Sequence, residues 1–149
     1  MNKENTKKLF ERFDFFYPET PITESLMAFG LTCADGWFQL VWDLCENIEK
    51  ELQKEKKEID IKEKTKRLLR GEHRFKVTQV KEKFGTLRFY VNGATDKIYN
   101  MISEAENKSY TTCEVCGADA KPVKRGGWYA TLCTDCAEKK DYKLIKEES

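Results

Sequence analysis

Histidine, net charge and long apolar runs are all scarce in this chain, and each scarcity removes a class of function. His73 is the only histidine among 149 residues. A zinc deaminase needs a His-x-Glu near a Pro-Cys-x-x-Cys, yet Arg74 and Phe75 follow His73, and Thr112 stands where that motif needs its proline. A histidine-dependent metallonuclease needs an imidazole base beside its metal, and no histidine follows position 73. His73 therefore reads as an ordinary strand-end residue. The plentiful carboxylates sit among lysines on solvated faces, so the chain is expected not to be an enzyme. No stretch approaches the apolar length of a membrane span. The segment from Met1 to Lys8 is charged, and the apolar stretch after it is broken by Glu11, Arg12 and Asp14, unlike a secretory leader. A formal net charge of only +1 means that the chain as a whole is not a basic nucleic-acid binder.

Six cysteines are present. Without an export signal they read as metal ligands plus spare thiols rather than a disulfide framework. Cys113 and Cys116, then Cys133 and Cys136, form a C-x2-C…C-x2-C array with sixteen residues between the pairs. Two residues between cysteines let one tight turn aim both sulfurs at one ion, and two such turns complete a tetrahedral thiolate cage. Gly117 suits the positive φ that such a knuckle often needs. Against two disulfides or four unrelated thiols, the spacing favours one structural Zn2+ held by Cys113, Cys116, Cys133 and Cys136. Four thiolates leave a formal charge of −2 around zinc, which Lys121, Lys124, Arg125, Lys139 and Lys140 are placed to offset. Cys33 and Cys45 belong to the core and are expected to pack there rather than bind metal.

The charge is unevenly spread. Residues 1–60 carry 8 Lys/Arg against 13 Asp/Glu, residues 61–109 carry 12 against 6, and residues 110–149 carry 7 against 7. The basic portion supplies candidate partner or phosphate contacts: Lys62, Lys64, Lys66, Arg67, Arg70, Arg74, Lys81, Lys83 and Arg88, with Lys76 among them. Glutamates punctuate the run, so a solvated surface is the simpler reading. The acidic first part can equally meet a basic groove on a protein.

Hydrophobic periodicity predicts an α+β fold, with helices packed on a small antiparallel sheet and a C-terminal four-cysteine zinc ribbon. Residues 1–109 form the core domain and 110–149 the ribbon with a charged C-terminal helix from about Asp135. Leu9, Phe10, Phe13, Phe16 and Tyr17 are at helical spacing, stopped by Pro18. A short turn closes at Gly30. Asp35 offers an N-cap for a long helix whose apolar face is Trp37, Leu40, Val41, Leu44, Ile48 and Leu52. The lysine- and glutamate-rich stretch around 50–70 reads as a protruding helix or excursion, broken near Asp60. Strand-like runs follow at 73–80 and 86–91, joined by Lys81 to Gly85 as a hairpin, and then a helix from about Asp96 to Asn107. In the ribbon, 120–124 and 128–132 form a second hairpin around Gly126 and Gly127.

Three blocks carry a resemblance. They are Cys33-Ala34-Asp35-Gly36-Trp37 running into Leu44-Cys45; residues 79–90, from Gln79 through Lys83-Phe84-Gly85-Thr86 to Tyr90; and the knuckles with Gly127-Trp128-Tyr129-Ala130-Thr131-Leu132. Together they resemble a family of small phage and prophage proteins, mostly of unassigned function, over roughly residues 23–137. The resemblance implies a viral or mobile-element origin and a zinc-stabilised protein in the cytoplasm of a bacterial host. Some small metalloproteins that look like this are anti-CRISPR inhibitors of type II effector nucleases, so the implied partner is a host CRISPR effector, bound by surface occupation. The alternative is a nucleic-acid-binding zinc ribbon using the basic 62–88 segment, with Tyr90 or Phe84 stacking on bases.

Overall fold

A computed structural model describes residues 1–58 and 74–145. Helix α1 spans Lys3–Arg12 and is capped by the Asn2 side chain, which accepts from Asn5 N–H at 2.8 Å. The predicted aromatic helix does not continue to Tyr17. Phe13, Phe15 and Phe16 are all buried, and on a continued helix those positions would spread over about 160° of its circumference, wider than the usual apolar stripe. The chain leaves the helix at Phe13 instead, and the Phe15 carbonyl accepts from Val77 N–H at 2.9 Å. Tyr17 takes a left-handed φ of 45° before Pro18, which disfavours the helical region for the residue ahead of it.

A single turn of 3-10 helix, Met27–Phe29, ends at Gly30, whose φ of 73° gives the expected glycine closure. A second, Asp35–Trp37, feeds helix α2, Phe38–Glu58. Asp35 does not cap α2. Its carboxylate accepts from the N–H and side chain of Asn2 and from the side chain of Asn5, so it braces the cap of α1, thirty-odd residues back, where the helix N-terminus favours a negative charge. Those donors, with the nearby Met1 amine, hold its carboxyl below the usual range.

The core-facing side of α2 is the expected one. Trp37, Val41, Leu44, Cys45 and Ile48 are buried, while Leu40, Trp42 and Leu52 pack at the margin. The charged stretch beyond Glu49 does not stand clear of the fold where it is described. It continues α2, and Glu51 pairs with Lys97 at 3.0 Å while Glu55 accepts from the Thr95 hydroxyl at 3.0 Å. The predicted break near Asp60 and the first part of the strand predicted from His73 lie outside the described residues.

Strands β1, Lys76–Lys83, and β2, Thr86–Asn92, pair antiparallel with an irregularity between Val77 and Gln79. The connection is two residues, Phe84 and Gly85, because β1 runs on through Lys83. Both turn residues have positive φ, 51° and 83°. That is the sense of a primed hairpin turn, which matches strand twist, and Glu82 clamps it by accepting from Gly85 N–H at 2.8 Å. Phenylalanine is a poor choice at such a position: the left-handed region costs an L residue about 1–2 kcal/mol. Phe84→Asn is therefore expected to raise stability by about 1 kcal/mol in urea unfolding, because asparagine tolerates this backbone; an unchanged midpoint would show that the turn carries no such strain.

The outer edge of β1 is not left bare. Leu26 N–H reaches Thr78 O at 2.8 Å, and Thr32 makes a parallel bridge to Lys81, donating to Val80 O and accepting from Glu82 N–H, each at 3.0 Å. Helix α3, Asp96–Ser109, with Thr95 as N-cap, lines the other side of the pair. It buries Ile98, Ile102 and Ala105, and its Ser109 hydroxyl and Glu106 carboxylate accept from the N–H groups of Leu87 and Phe89.

In the ribbon, β3, Lys121–Arg125, pairs with β4, Trp128–Leu132, across Gly126 and Gly127. The C-terminal helix α4 is short, Thr134–Lys139. It stops because Asp141 turns left-handed at φ 59° and Tyr142 N–H returns to Ala137 O at 2.9 Å. The chain then forms β5, Lys143–Leu144, against the free edge of β3, giving the order β4-β3-β5. The whole is α+β, as the periodicity implies. Two buried clusters result: a large one around Trp37, and a small one of Cys113, Val123, Leu132 and Ala137.

Candidate metal centre

The four cysteines of the C-x2-C pairs come together, with all their sulfurs within 4.8 Å of one another. Each pair is aimed by its own local structure. In the first, Gly117 N–H closes onto Cys113 O at 2.9 Å with φ of 81° at Gly117, and Cys113 N–H donates to Ala118 O at 2.8 Å. In the second, Cys133 is the N-cap of α4, its sulfur accepting from Cys136 N–H at 3.4 Å. A residue type that normally binds metal thus also satisfies a helix-end donor.

The spacing fits a bound ion. Four sulfurs at about 2.3 Å from one centre in a tetrahedron lie about 3.8 Å apart, and Cys116 Sγ and Cys133 Sγ are 3.6 Å apart. Cys113 is buried, Cys133 and Cys136 are half-buried, and Cys116 is exposed. Burial pushes the Cys113 thiol up, but the backbone N–H groups of Cys133, Cys116 and Val115 outweigh it and bring it to about 7. Beside it, Cys136 is pushed up to about 12, first by the Cys133 sulfur and then by burial. The Ala118 N–H favours the Cys116 thiolate, yet the adjoining Cys113 and Cys133 sulfurs outweigh it and leave this thiol raised. Thiolates this close repel, and a cation among them relieves that repulsion. The cluster can therefore hold one metal ion through four protein ligands.

Cys33 and Cys45 stand apart from this set and are buried in the main core. Burial pushes Cys33 up to about 12 and Cys45 well above its ordinary value, as suits packed thiols. Arg125 does not serve the sulfurs as expected. Its guanidinium donates to Lys140 O at 2.7 Å and lies 4.7 Å over the Tyr142 ring, pinning β5 to β3.

What the sequence reading missed is the seam between centre and core. Gly36 N–H donates to Glu114 O at 2.7 Å, Ala34 N–H to Glu114 Oε2 at 3.1 Å, and Trp37 Nε1 to Thr112 O at 2.9 Å. A Cβ on Gly36 would sit 2.2 Å from Cys113 O. On the other side, the Thr131 hydroxyl donates to Gly85 O at 2.7 Å, and a Cβ on Gly85 would come within 2.9 Å of the Ala130 backbone. Two glycines therefore let two ribbon segments lie directly on the core. Burial raises the Glu114 carboxyl above its usual range against the opposing pull of the Ala34 N–H. The only trace of this seam in the sequence is the glycine in each of the Asp35-Gly36-Trp37 and Phe84-Gly85-Thr86 strings.

Of the candidate partner contacts, Lys62, Lys64, Lys66, Arg67 and Arg70 lie outside the described residues. Arg74 is exposed just before β1, beside Tyr17 and Lys76 in an open cleft. Lys81 and Arg88 are brought directly opposite each other on the hairpin, with Lys83 one step nearer the turn. No helix among the described residues is long and apolar enough to cross a membrane. Comparison of the chain with protein-family models, with curated proteins and with solved structures finds no match.

Proposed function

We propose that this is a zinc-stabilised, non-catalytic binding protein of phage origin that inhibits a host type II CRISPR effector nuclease by occupying its surface. The observation that carries the reading is the closed set of four sulfurs. Four protein thiolates complete zinc's preferred tetrahedron and leave no position for water or substrate, so the ion holds structure rather than activating a nucleophile. An all-thiolate donor set at C-x2-C spacing favours zinc over harder divalent ions. The partner is supported by the resemblance to the phage family, and its location would be the host cytoplasm. The acidic 1–60 segment offers charge that a basic nucleic-acid channel attracts.

The test titrates zinc-loaded protein against a fixed concentration of type II effector. Inhibition is expected to be stoichiometric, with activity falling to zero near one equivalent. Complete inactivation far below equimolar protein would reveal turnover and overturn the non-catalytic reading. Full nuclease activity at a large molar excess would overturn the partner.

A further inference from the structure

The β1–β2 hairpin departs from two local rules on its outward side. The register sets Lys81 directly opposite Arg88, and like charges so placed repel. Alternation puts Gln79, Lys83, Thr86 and Tyr90 on that same side, where Lys83 and Tyr90 are exposed, Lys81 and Arg88 half-buried and Thr86 buried, while Val80, Leu87 and Phe89 turn into the core. Among the described residues none of Lys81, Lys83 and Arg88 forms an ion pair. Glu82 alternates to the other face and holds Gly85 N–H. Glu106 stands at the β2 edge, where burial raises its carboxyl above the usual range against the opposing pulls of the Phe89 N–H, which its Oε2 accepts at 3.2 Å, and of Arg88, with which it forms no ion pair.

The second departure is Phe84, a left-handed residue in a two-residue turn that is 72% exposed, with the Lys83 ammonium 5.7 Å from its ring centroid. Neither choice serves the hairpin, and local choices that work against the fold concentrate where a surface serves a ligand. The order along the hairpin is informative. Phe84 is at the tip, Lys83 and then the Lys81–Arg88 pair follow, and Tyr90, 41% exposed, lies beyond them opposite Gln79. Two exposed rings thus bracket three cations on one face.

We propose that this face binds single-stranded nucleic acid, with bases stacking on Phe84 and Tyr90 and the intervening phosphates meeting Lys81, Lys83 and Arg88. Rings stack on bases that are unpaired, and cations between them match the backbone charge. A duplex keeps its bases covered and offers such rings nothing. The inference goes beyond the effector reading and stands independently of it.

The experiment uses the full zinc-loaded chain and a fluorescent oligothymidylate of about 16 nucleotides, read by anisotropy across salt concentrations. Three phosphate contacts predict a log–log slope of about −2 for a single strand. Lys81→Gln with Arg88→Gln is expected to weaken binding at least tenfold and bring the slope near −1, with no loss of thermal stability because a repulsive pair is removed. Phe84→Asn, which keeps the turn, is expected to weaken binding about tenfold while leaving the slope unchanged. Salt-insensitive or undetectable binding by the parent chain would overturn the proposal, as would parental affinity in both variants. Equal preference for duplex would remove the stacking role. If the variants lose effector inhibition while the parent binds no oligonucleotide, the face belongs to a protein contact and this inference fails while the effector reading stands.

Discussion

Stripping the metal with a strong chelator under reducing conditions should unfold residues 110–145 and leave helices α1, α2 and α3 and the β1–β2 hairpin folded. The expected asymmetry follows from the two clusters. The ribbon buries four apolar residues, one of them a ligand, against twenty in the main core, and a module that small does not fold on apolar area alone. Structural zinc in such modules contributes about 10–16 kcal/mol of apparent binding free energy at neutral pH, far more than a four-residue cluster supplies. Cys116→Ser should have the same effect without a chelator. The core will not be untouched, because the seam bonds from Ala34, Gly36 and Trp37 to the first knuckle and from Thr131 to Gly85 are lost with the ribbon. At about 1 kcal/mol each, partly replaced by water, their loss should lower core stability by a few kcal/mol without abolishing it. Hydrogen exchange resolved by peptide measures this directly. Protection should vanish in β3, β4 and α4 and persist in α2 and α3. Simultaneous loss of protection across all of them would show that the seam, not the separate clusters, sets the cooperative unit.

Trp37→Ala should be among the most damaging single changes, destabilising the protein by about 3–5 kcal/mol for the cavity and by roughly 1–3 kcal/mol more if the abandoned carbonyl stays buried. The indole is fully buried in the main cluster at the start of α2, and its Nε1 donates to Thr112 O, immediately before the first ligand. One side chain therefore fills the core and orients the segment that delivers Cys113. Trp37→Phe weights the second role, since it keeps most of the volume while removing the donor. It should cost about 1–3 kcal/mol and weaken metal retention in a chelator competition, whereas a purely packing role predicts unchanged retention. Urea unfolding of the metal-loaded proteins gives the energies, and a loss under about 2 kcal/mol for the alanine variant would remove Trp37 from its central place.

Much of the local architecture was legible in the sequence because its signals are local. The C-x2-C spacing determines that each pair of sulfurs converges, and the structure brings both pairs to one point. The three- and four-residue repeat from Trp37 to Ile48 determines which side of α2 is apolar, and alternation in 86–91 determines which side of β2 faces inward. Cys33 and Cys45 were separable from the ligands by their apolar context alone.

Only the tertiary structure decided what those faces meet. Asp35 reads as a cap for the helix that follows it, yet its carboxylate is taken by Asn2 and Asn5 because the fold sets the start of α1 beside it. The aromatic run after Arg12 has helical spacing in part, but burying Phe13, Phe15 and Phe16 together is worth more than extending a helix that would expose one of them. The return of the chain as β5 depends on a free edge of β3 and on the Arg125–Tyr142 stack. The seam depends on approaches across 46 to 80 residues, such as Gly85 to Thr131, Trp37 to Thr112 and Ala34 to Glu114. Periodicity states that a face must be covered and never by what; two glycines mark where backbones touch, but the partner of each is set by how the ribbon and the core come together in space.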